Sequence, residues 1–412
     1  MKKPYYDLSG IENNFDKLYG QNDGYQTNRY KNLFSRFKSS FGYDCCYIAS
    51  SSGRVEVCGN HTDHNGGKVV SCGISLDTLA MFMPNGSSVV RIKSEGYPDI
   101  VCDLEAVDNE KKGTSAALVR GVAVALNNKG YKVGGFDSCM TSNVIGGAGI
   151  SSSASFEVLI AEVFNFLFND GVIDNETKAK VAQFAENTYF GKPCGLLDQT
   201  AIAFGGLKVL DFSDVNHIKV TDIKNNLNGL SLFLIDTGGS HANLTEEYAA
   251  IPYEMKLVAS YFGKGRLIDV GEENFYNELP KIYGKLPDRA INRAIHFFSE
   301  NKRVDKLACA LNNNDYDTFL ACVKESGVSS LCRLQNCYVA GSLDQSIPKA
   351  LAVAEHYLRG GANRVHGGGF AGTILNIVKT EYAEDFVNVM KKIFGEKAVI
   401  PFSVRSVGTI VL

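Results

Sequence analysis

Glycine is spread unevenly along this chain, and its placement constrains the fold more than any other feature. Of 41 glycines, the dense groups lie at 59–73, 146–149 and 367–372. Local enrichment of this kind marks tight turns, or places where the backbone comes close to a ligand, because a residue without Cβ leaves room for both. The middle group is the most informative. Ile145-Gly146-Gly147-Ala148-Gly149-Ile150-Ser151-Ser152-Ser153 forms a glycine–serine loop, and the stretch from Ala154 to Phe168 behind it reads as a largely apolar helix carrying Phe156, Leu159, Val163 and Leu167. Backbone N–H groups in such a loop can approach an anion, and a helix N-terminus adds unpaired donors and the positive end of a dipole. The three serines add hydroxyl donors or a ligand for magnesium. The pattern is not G-x-x-x-x-G-K-[ST], and Ser152 stands where G-x-G-x-x-G needs its last glycine. No H-R-D or D-F-G set occurs. Taken alone, the loop reads equally well as a glycine turn with a serine N-cap.

At 412 residues the chain exceeds one ordinary domain, so two packed domains are expected. Polar–apolar alternation over Arg54–Cys58 predicts a strand that runs into the polar loop 59–67. Helices are expected over 115–129, 178–190 and 347–357, and buried strands over 232–236 and 373–377. Strands and helices mix without a regular βαβ rhythm, which favours α+β over a doubly wound sheet. Net charge is −3, from 42 basic and 45 acidic residues, and gives no footprint for nucleic acid. The start has a basic pair but no apolar run behind it, and no stretch approaches a membrane helix. A cytoplasmic protein is therefore expected, with no membrane partner. The 11 cysteines include no C-x-x-C pair and read as free, mostly buried thiols.

Four segments taken together resemble one family. Gly53-Arg54-Val55-Glu56-Val57-Cys58-Gly59-Asn60-His61-Thr62-Asp63-His64-Asn65-Gly66-Gly67 is similar to the galactokinase signature G-R-V-N-L-I-G-E-H-T-D-Y-N-G-G. Gly147–Ala154 resembles the phosphate loop of the wider GHMP kinase superfamily, and His366–Gly372 its C-terminal glycine motif. Cys194-Gly195-Leu196-Leu197-Asp198-Gln199 resembles the galactokinase G-I-M-D-Q element. The four occur in the family's order between about residues 50 and 375.

The resemblance implies an α+β, two-domain GHMP kinase fold with the active site in the cleft between domains, expected at 1–215 and 216–412. It implies an ATP-dependent sugar 1-kinase, with galactose as the first substrate to expect. ATP would bind on Gly147, Ala148, Gly149, Ile150, Ser151, Ser152 and Ser153. Magnesium would be held by Ser153 and Glu186, the latter within an Ala185-Glu186-Asn187 that looks like the family's A-E-N. Asp198 matches the catalytic aspartate and Arg54 the arginine beside it. Asn60, His61, Thr62, Asp63, Gly195 and Tyr248 match sugar-binding positions. The partners implied are a small sugar and ATP, and a monomer is expected.

The chemistry suits these residue types. Phosphoryl transfer needs in-line positioning and charge neutralisation more than covalent help. A carboxylate can orient the attacking hydroxyl or accept its proton, and an adjacent arginine keeps that carboxylate ionised. Each residue also has a plainer reading. Asp198 could cap a helix, Arg54 could be a surface charge, Glu186 a solvated helix face, Asp63 a turn residue and Tyr248 a rim aromatic. His217, His241, His296 and His356 read as structural or surface residues.

The departures gather where the sugar would sit. Asn60 and His64 replace the signature's Glu and Tyr. That glutamate is expected to contact the galactose C6 hydroxyl, and an amide there could admit a C6 carboxylate or a sugar lacking C6. Ser51-Ser52 replaces the family's Ala-Pro, Ala249-Ala250 stands where arginines commonly follow Tyr248, and Ser329–Cys337 follows S-L-R-D only loosely. The alternatives are the same reaction on galacturonate, arabinose or N-acetylgalactosamine, or a non-catalytic sugar and ATP sensor.

Overall fold

The computed structural model describes residues 3–20, 24–106, 111–147, 149–214, 216–239 and 244–412. Its strands are β1 (Tyr47–Cys58), β2 (Lys68–Pro84), β3 (Val89–Ser94), β4 (Ile100–Asp103), β5 (Phe136–Ser142), β6 (Leu207–Asp211), β7 (Lys219–Asp222), β8 (Leu230–Asp236), β9 (Ala362–Val365), β10 (Thr373–Lys379), β11 (Val399–Phe402) and β12 (Ile410–Val411). The larger sheet runs β12-β1-β2-β5-β3-β4, with β6 beside β2 and β7 beside β6. Among the described residues, its β3–β5 pair alone is parallel. The smaller sheet runs β11-β8-β10-β9 and is antiparallel.

Strand β1 is buried along nearly its whole length, and it carries the chemistry. It is bulged between Ser52 and Arg54, and again between Glu56 and Cys58. A bulge bends a strand and re-aims its side chains. Here it coincides with the residues that leave the ladder for the site. Helices Ser115–Asn128, Ser152–Phe168 and Asn175–Phe184 cover one face of the larger sheet over a core that includes Phe82, Val122, Leu159 and Phe164. A second core joins the two sheets through Val55, Ile74, Leu234, Leu307, Phe319 and Leu375. Helices Thr245–Tyr261 and Asp288–Asn312 pack around Met255, Phe275 and Phe297.

The expected division at 215/216 falls inside the hairpin of β6 and β7, and both of these strands belong to the larger sheet. The last strand, β12, also returns to that sheet beside β1. The Arg405 and Arg29 guanidiniums meet the buried Asp77 carboxylate on β2, which ties the chain's end and its N-terminal helix to one strand. The two sheets are therefore not two consecutive halves of the sequence.

Among the described residues the 11 cysteines form no disulfide, and most are buried. Among the described residues, no helix is long and apolar enough to cross a membrane. The four histidines read as structural or surface diverge. His217 is exposed and pairs with Glu176, His296 is fully buried, His356 stacks edge-on against Tyr357, and His241 lies outside the described residues.

Candidate active site

The three glycine groups converge. A Cβ on Gly367 would meet the Gly149 carbonyl at 3.5 Å, and Asn60 Nδ2 donates to the Gly367 carbonyl at 2.9 Å. His61 Nε2 lies 3.0 Å from the Gly368 carbonyl. Gly369, at φ 83°, sits so tightly on Asn336 that a Cβ would come within 2.0 Å of its carbonyl oxygen. Only glycine fits there. Four of the described non-glycine residues with positive φ, His61, Ser151, Gln335 and Phe370, flank this junction. Such conformations persist where the surroundings over-determine them, and they cluster at functional sites.

Asp198, in the first turn of the helix Leu197–Phe204, faces Arg54. Arg54 Nε and Nη2 both reach Asp198 Oδ1 at 2.7 Å, and Arg54 Nη1 donates to the Gly149 carbonyl. The other carboxylate oxygen, Oδ2, accepts from the Ser151 hydroxyl. Burial opposes ionisation of Asp198, but the Arg54 guanidinium and the Ser151 hydroxyl hold its carboxyl below the usual range. It is thus an ionised carboxylate held in one orientation, with its side chain 30% exposed.

Ser151 occupies the N-cap position of the helix Ser152–Phe168 in the left-handed region, φ 63°, and makes no side-chain cap. Its hydroxyl is turned to Asp198 instead. The first amides of that helix are consequently free of a side-chain acceptor, which leaves donors for an anion. Two residues further on, Ser153 Oγ donates to Glu186 Oε1 at 2.8 Å. Glu186 Oε2 accepts from Gln199 Nε2 at 2.8 Å, so the carboxylate is fixed at both ends. Lys192 Nζ also reaches Glu186 Oε1, at 3.2 Å. Glu157 lies behind Gln199, where burial and then the Glu186 charge push its carboxyl well above the ordinary range.

The sugar signature is organised differently. The Asn60 side chain is fully buried. Its amide donates to Glu56 Oε1 at 3.0 Å and to Gly367 O, and its oxygen accepts from Asn336 Nδ2 at 2.8 Å and Ser330 Oγ at 3.2 Å. Every hydrogen-bonding position of an Asn is then taken. Position 56 explains this. The signature has Asn at 56 and Glu at 60, whereas this chain has Glu56 and Asn60. The two residue types have changed places, and the carboxylate has moved into a buried pair with Arg364 Nη2 at 2.8 Å.

Thr62 Oγ1 donates to the Gly59 and Lys68 carbonyls at 2.9 and 2.8 Å and closes the turn. His296 holds the Asn60 carbonyl at 2.9 Å, and burial pushes its ring down to about 4, so the imidazole is neutral. His64 is pushed down to about 3 by burial, and its ring centroid lies 5.8 Å from that of His61. Burial pushes Asp63 up, with His61 opposing and Asp198 adding to it. The Asp63 carboxylate lies so close to Gly195 that a Cβ there would fall 1.9 Å from Oδ2. Burial pushes the Tyr248 phenol up to about 12, and it donates to the Gly369 carbonyl at 2.8 Å.

The residues expected at the site therefore form two linked clusters: Arg54, Gly149, Ser151, Ser153, Glu186 and Asp198, and Asn60, His61, Asp63, Gly195 and Tyr248. Two expectations change. Asn60 and Thr62 were read as sugar contacts, but their side chains are spent on protein groups because both are buried under the 367–369 loop or the Gly59 turn. Ile150, read as part of the ATP loop, points into the inter-sheet core, and only its backbone faces Arg54, through a 3.3 Å bond. Gly147 lies on the loop, Ser152 opens the helix behind it, and Ala148 lies outside the described residues. Sequence reasoning missed Lys192, Gln199, Glu157, Arg364 and Asn336 as members. The exchange at 56 and 60 was the one signal available for Arg364, since a second buried carboxylate demands a partner.

Residues 35–84 match the family model of the galactokinase galactose-binding signature, and residues 117–206 that of the GHMP kinase N-terminal domain. The chain is 31% identical to the galactokinase of Clostridium tetani over 355 residues, covering 84% of this chain and 88% of that protein. It is 30% identical to the galactokinase of Bacillus subtilis over a stretch of the same length and coverage. A crystal structure of Lactococcus lactis galactokinase complexed with galactose superposes with a TM-score of 0.81 at 22% identity, covering 93% of this chain and 100% of that one. Methanococcus jannaschii mevalonate kinase superposes at 0.59 with 14% identity, covering 87% and 98%.

Proposed function

Because the chain belongs to the galactokinase family of GHMP kinases, we propose that its site transfers the terminal phosphoryl group of ATP to the anomeric hydroxyl of galactose. The observation that carries this reading is the oriented Asp198 carboxylate, held by Arg54 and Ser151 beside an uncapped helix N-terminus. A helix start with free amides suits the phosphates. Asp198 suits the sugar hydroxyl, which it can orient or deprotonate as the phosphoryl group leaves ADP. Arg54 keeps Asp198 ionised and counters charge in transit.

Ser153 and Glu186 fit a magnesium ion. They are hard oxygen donors 2.8 Å apart, and Gln199 fixes the carboxylate's far oxygen. Two protein ligands suffice for an ion that keeps waters and phosphate oxygens. When bound, magnesium supplies neutralisation of the phosphate charge. Asp63, His61, Gly195 and Tyr248 are assigned to the sugar, and Asn60 to positioning the loop that carries them. Because the Asn60 amide is fully engaged, nothing at position 60 selects a C6 carboxylate, and this favours galactose over galacturonate. Free thiols and the use of ATP suit a monomer working in the cytoplasm.

The test is ADP release from magnesium-ATP across galactose, galacturonate, arabinose and N-acetylgalactosamine. Galactose should give the highest kcat/KM. Turnover that ignores the sugar, or none at all, would favour a non-catalytic sensor.

A further inference from the structure

Lys192 belongs to none of the four motifs, yet its ammonium sits at the centre of the phosphate end of the site. Nζ lies 3.2 Å from Glu186 Oε1, the same oxygen that accepts from Ser153. The lysine thus occupies the pair assigned to the metal, as a monovalent cation. Its surroundings are acidic, with both Glu186 and Asp198 acting on it.

The root of this side chain is fixed and its tip is not. The amides of Gly191 and Lys192 both donate to the Glu186 carbonyl at 3.0 Å, and Pro193 restricts the chain that follows. The Lys192 side chain is nevertheless 63% exposed, against 3% for Glu186. One residue is anchored and the other is free to leave it.

Charge decides where it would go. ATP brings about four negative charges and magnesium neutralises two of them. Arg54 supplies only part of the remainder, because its guanidinium also holds Asp198 and the Gly149 carbonyl. An ammonium is a compact charge on a flexible stem, and it suits phosphate as a point charge.

We propose that Lys192 is a phosphate-binding residue of this kinase: it is parked on Glu186 in the nucleotide-free enzyme and moves onto the terminal phosphate oxygens of the nucleotide when that enters. The proposal rests on the kinase reading above. The contribution is electrostatic and forms no bond. Lys112, whose Cδ would lie 3.3 Å from a Cβ added at Gly191, provides the control, since among the described residues it is a cation on the same rim with no carboxylate partner in the site.

The test is calorimetric titration of the full chain with ATP, ADP and AMP in EDTA, so that protein charge alone is read. Lys192→Met should weaken ATP binding about tenfold, a 1.4 kcal/mol change. AMP binding should change less than twofold. Lys192→Arg should retain most of the ATP affinity, and Lys112→Met should match the wild type. Thermal melting of each variant verifies that it is folded, and Lys192→Gln provides a second neutral variant. Three outcomes would overturn the proposal: unchanged ATP affinity in both neutral variants, an equal loss for AMP, or an equal loss in Lys112→Met. Failure of the wild type to bind ATP at all would instead overturn the kinase reading.

Discussion

In the 149–153 loop the hydroxyls of Ser151 and Ser153 each bond a carboxylate of the reacting set, Asp198 and Glu186. In the 59–64 loop Asn60 bonds the Gly367 carbonyl and the Asn336 side chain from far along the sequence, and Thr62 bonds the nearby Gly59 and Lys68 carbonyls. Both stretches are polar and begin at a glycine, and both lie within family motifs. The first uses its side chains for chemistry, whereas much of the second uses them to hold a shape. A motif residue can therefore be required for its hydrogen bonds to protein rather than to substrate, and substitution separates the two cases. Variants of the first kind should lose rate while stability survives, and variants of the second kind should lose stability first.

The largest effect is expected from Asp198→Asn. Its kcat should fall on the order of 10²–10⁴-fold, while ATP affinity and melting temperature hold. Full retained rate in single-turnover assays would remove the assigned role. Arg54→Met should cost about 10²–10³ in kcat and shift the pH profile as well. Burial would then act on Asp198 with only Ser151 and Lys192 opposing it, raising its pKa. The acidic limb of kcat against pH should therefore move to higher pH, and a lower rate with an unmoved limb would assign Arg54 to the phosphate alone.

The exchanged pair tests the other loop. Asn60→Glu puts a second carboxylate beside buried Glu56 and should destabilise by about 3 kcal/mol, as an unpaired buried charge does. Adding Glu56→Asn restores the family arrangement, and the double variant should recover at least about 1 kcal/mol through coupling in urea unfolding. Additive losses would mean that the two positions do not form a unit. Ser151→Ala should have the smallest effect. It removes one of two restraints on Asp198, at about 1 kcal/mol or a few-fold in kcat, with unchanged unfolding.

Much of this was legible because it rests on local period or local composition. The helices over 115–129 and 347–357 and the strands over 232–236 and 373–377 appear within a residue or two. The helix expected over 178–190 is split, since Asn175–Phe184 gives way to a wider turn over Ala185–Phe190 that carries Glu186. The helices Thr245–Tyr261 and Glu272–Ile282 escaped notice because each contains a proline, Pro252 and Pro280, where period alone argues for a break. The three glycine groups were visible, but their meeting at Gly149 and Gly367 depends on contacts more than 200 residues apart. The direction of the Ser151 hydroxyl depends on a single positive φ, and Lys192 sits in a loop with no period to mark it.

The central claim is that this site moves a phosphoryl group onto the anomeric oxygen of galactose. Phosphorus NMR of a reaction containing the protein, magnesium-ATP and galactose tests it most directly. The account predicts one new resonance, coupled to the anomeric proton of galactose, that grows in step with ADP. ADP without that resonance, or a phosphate ester at another carbon, would contradict it.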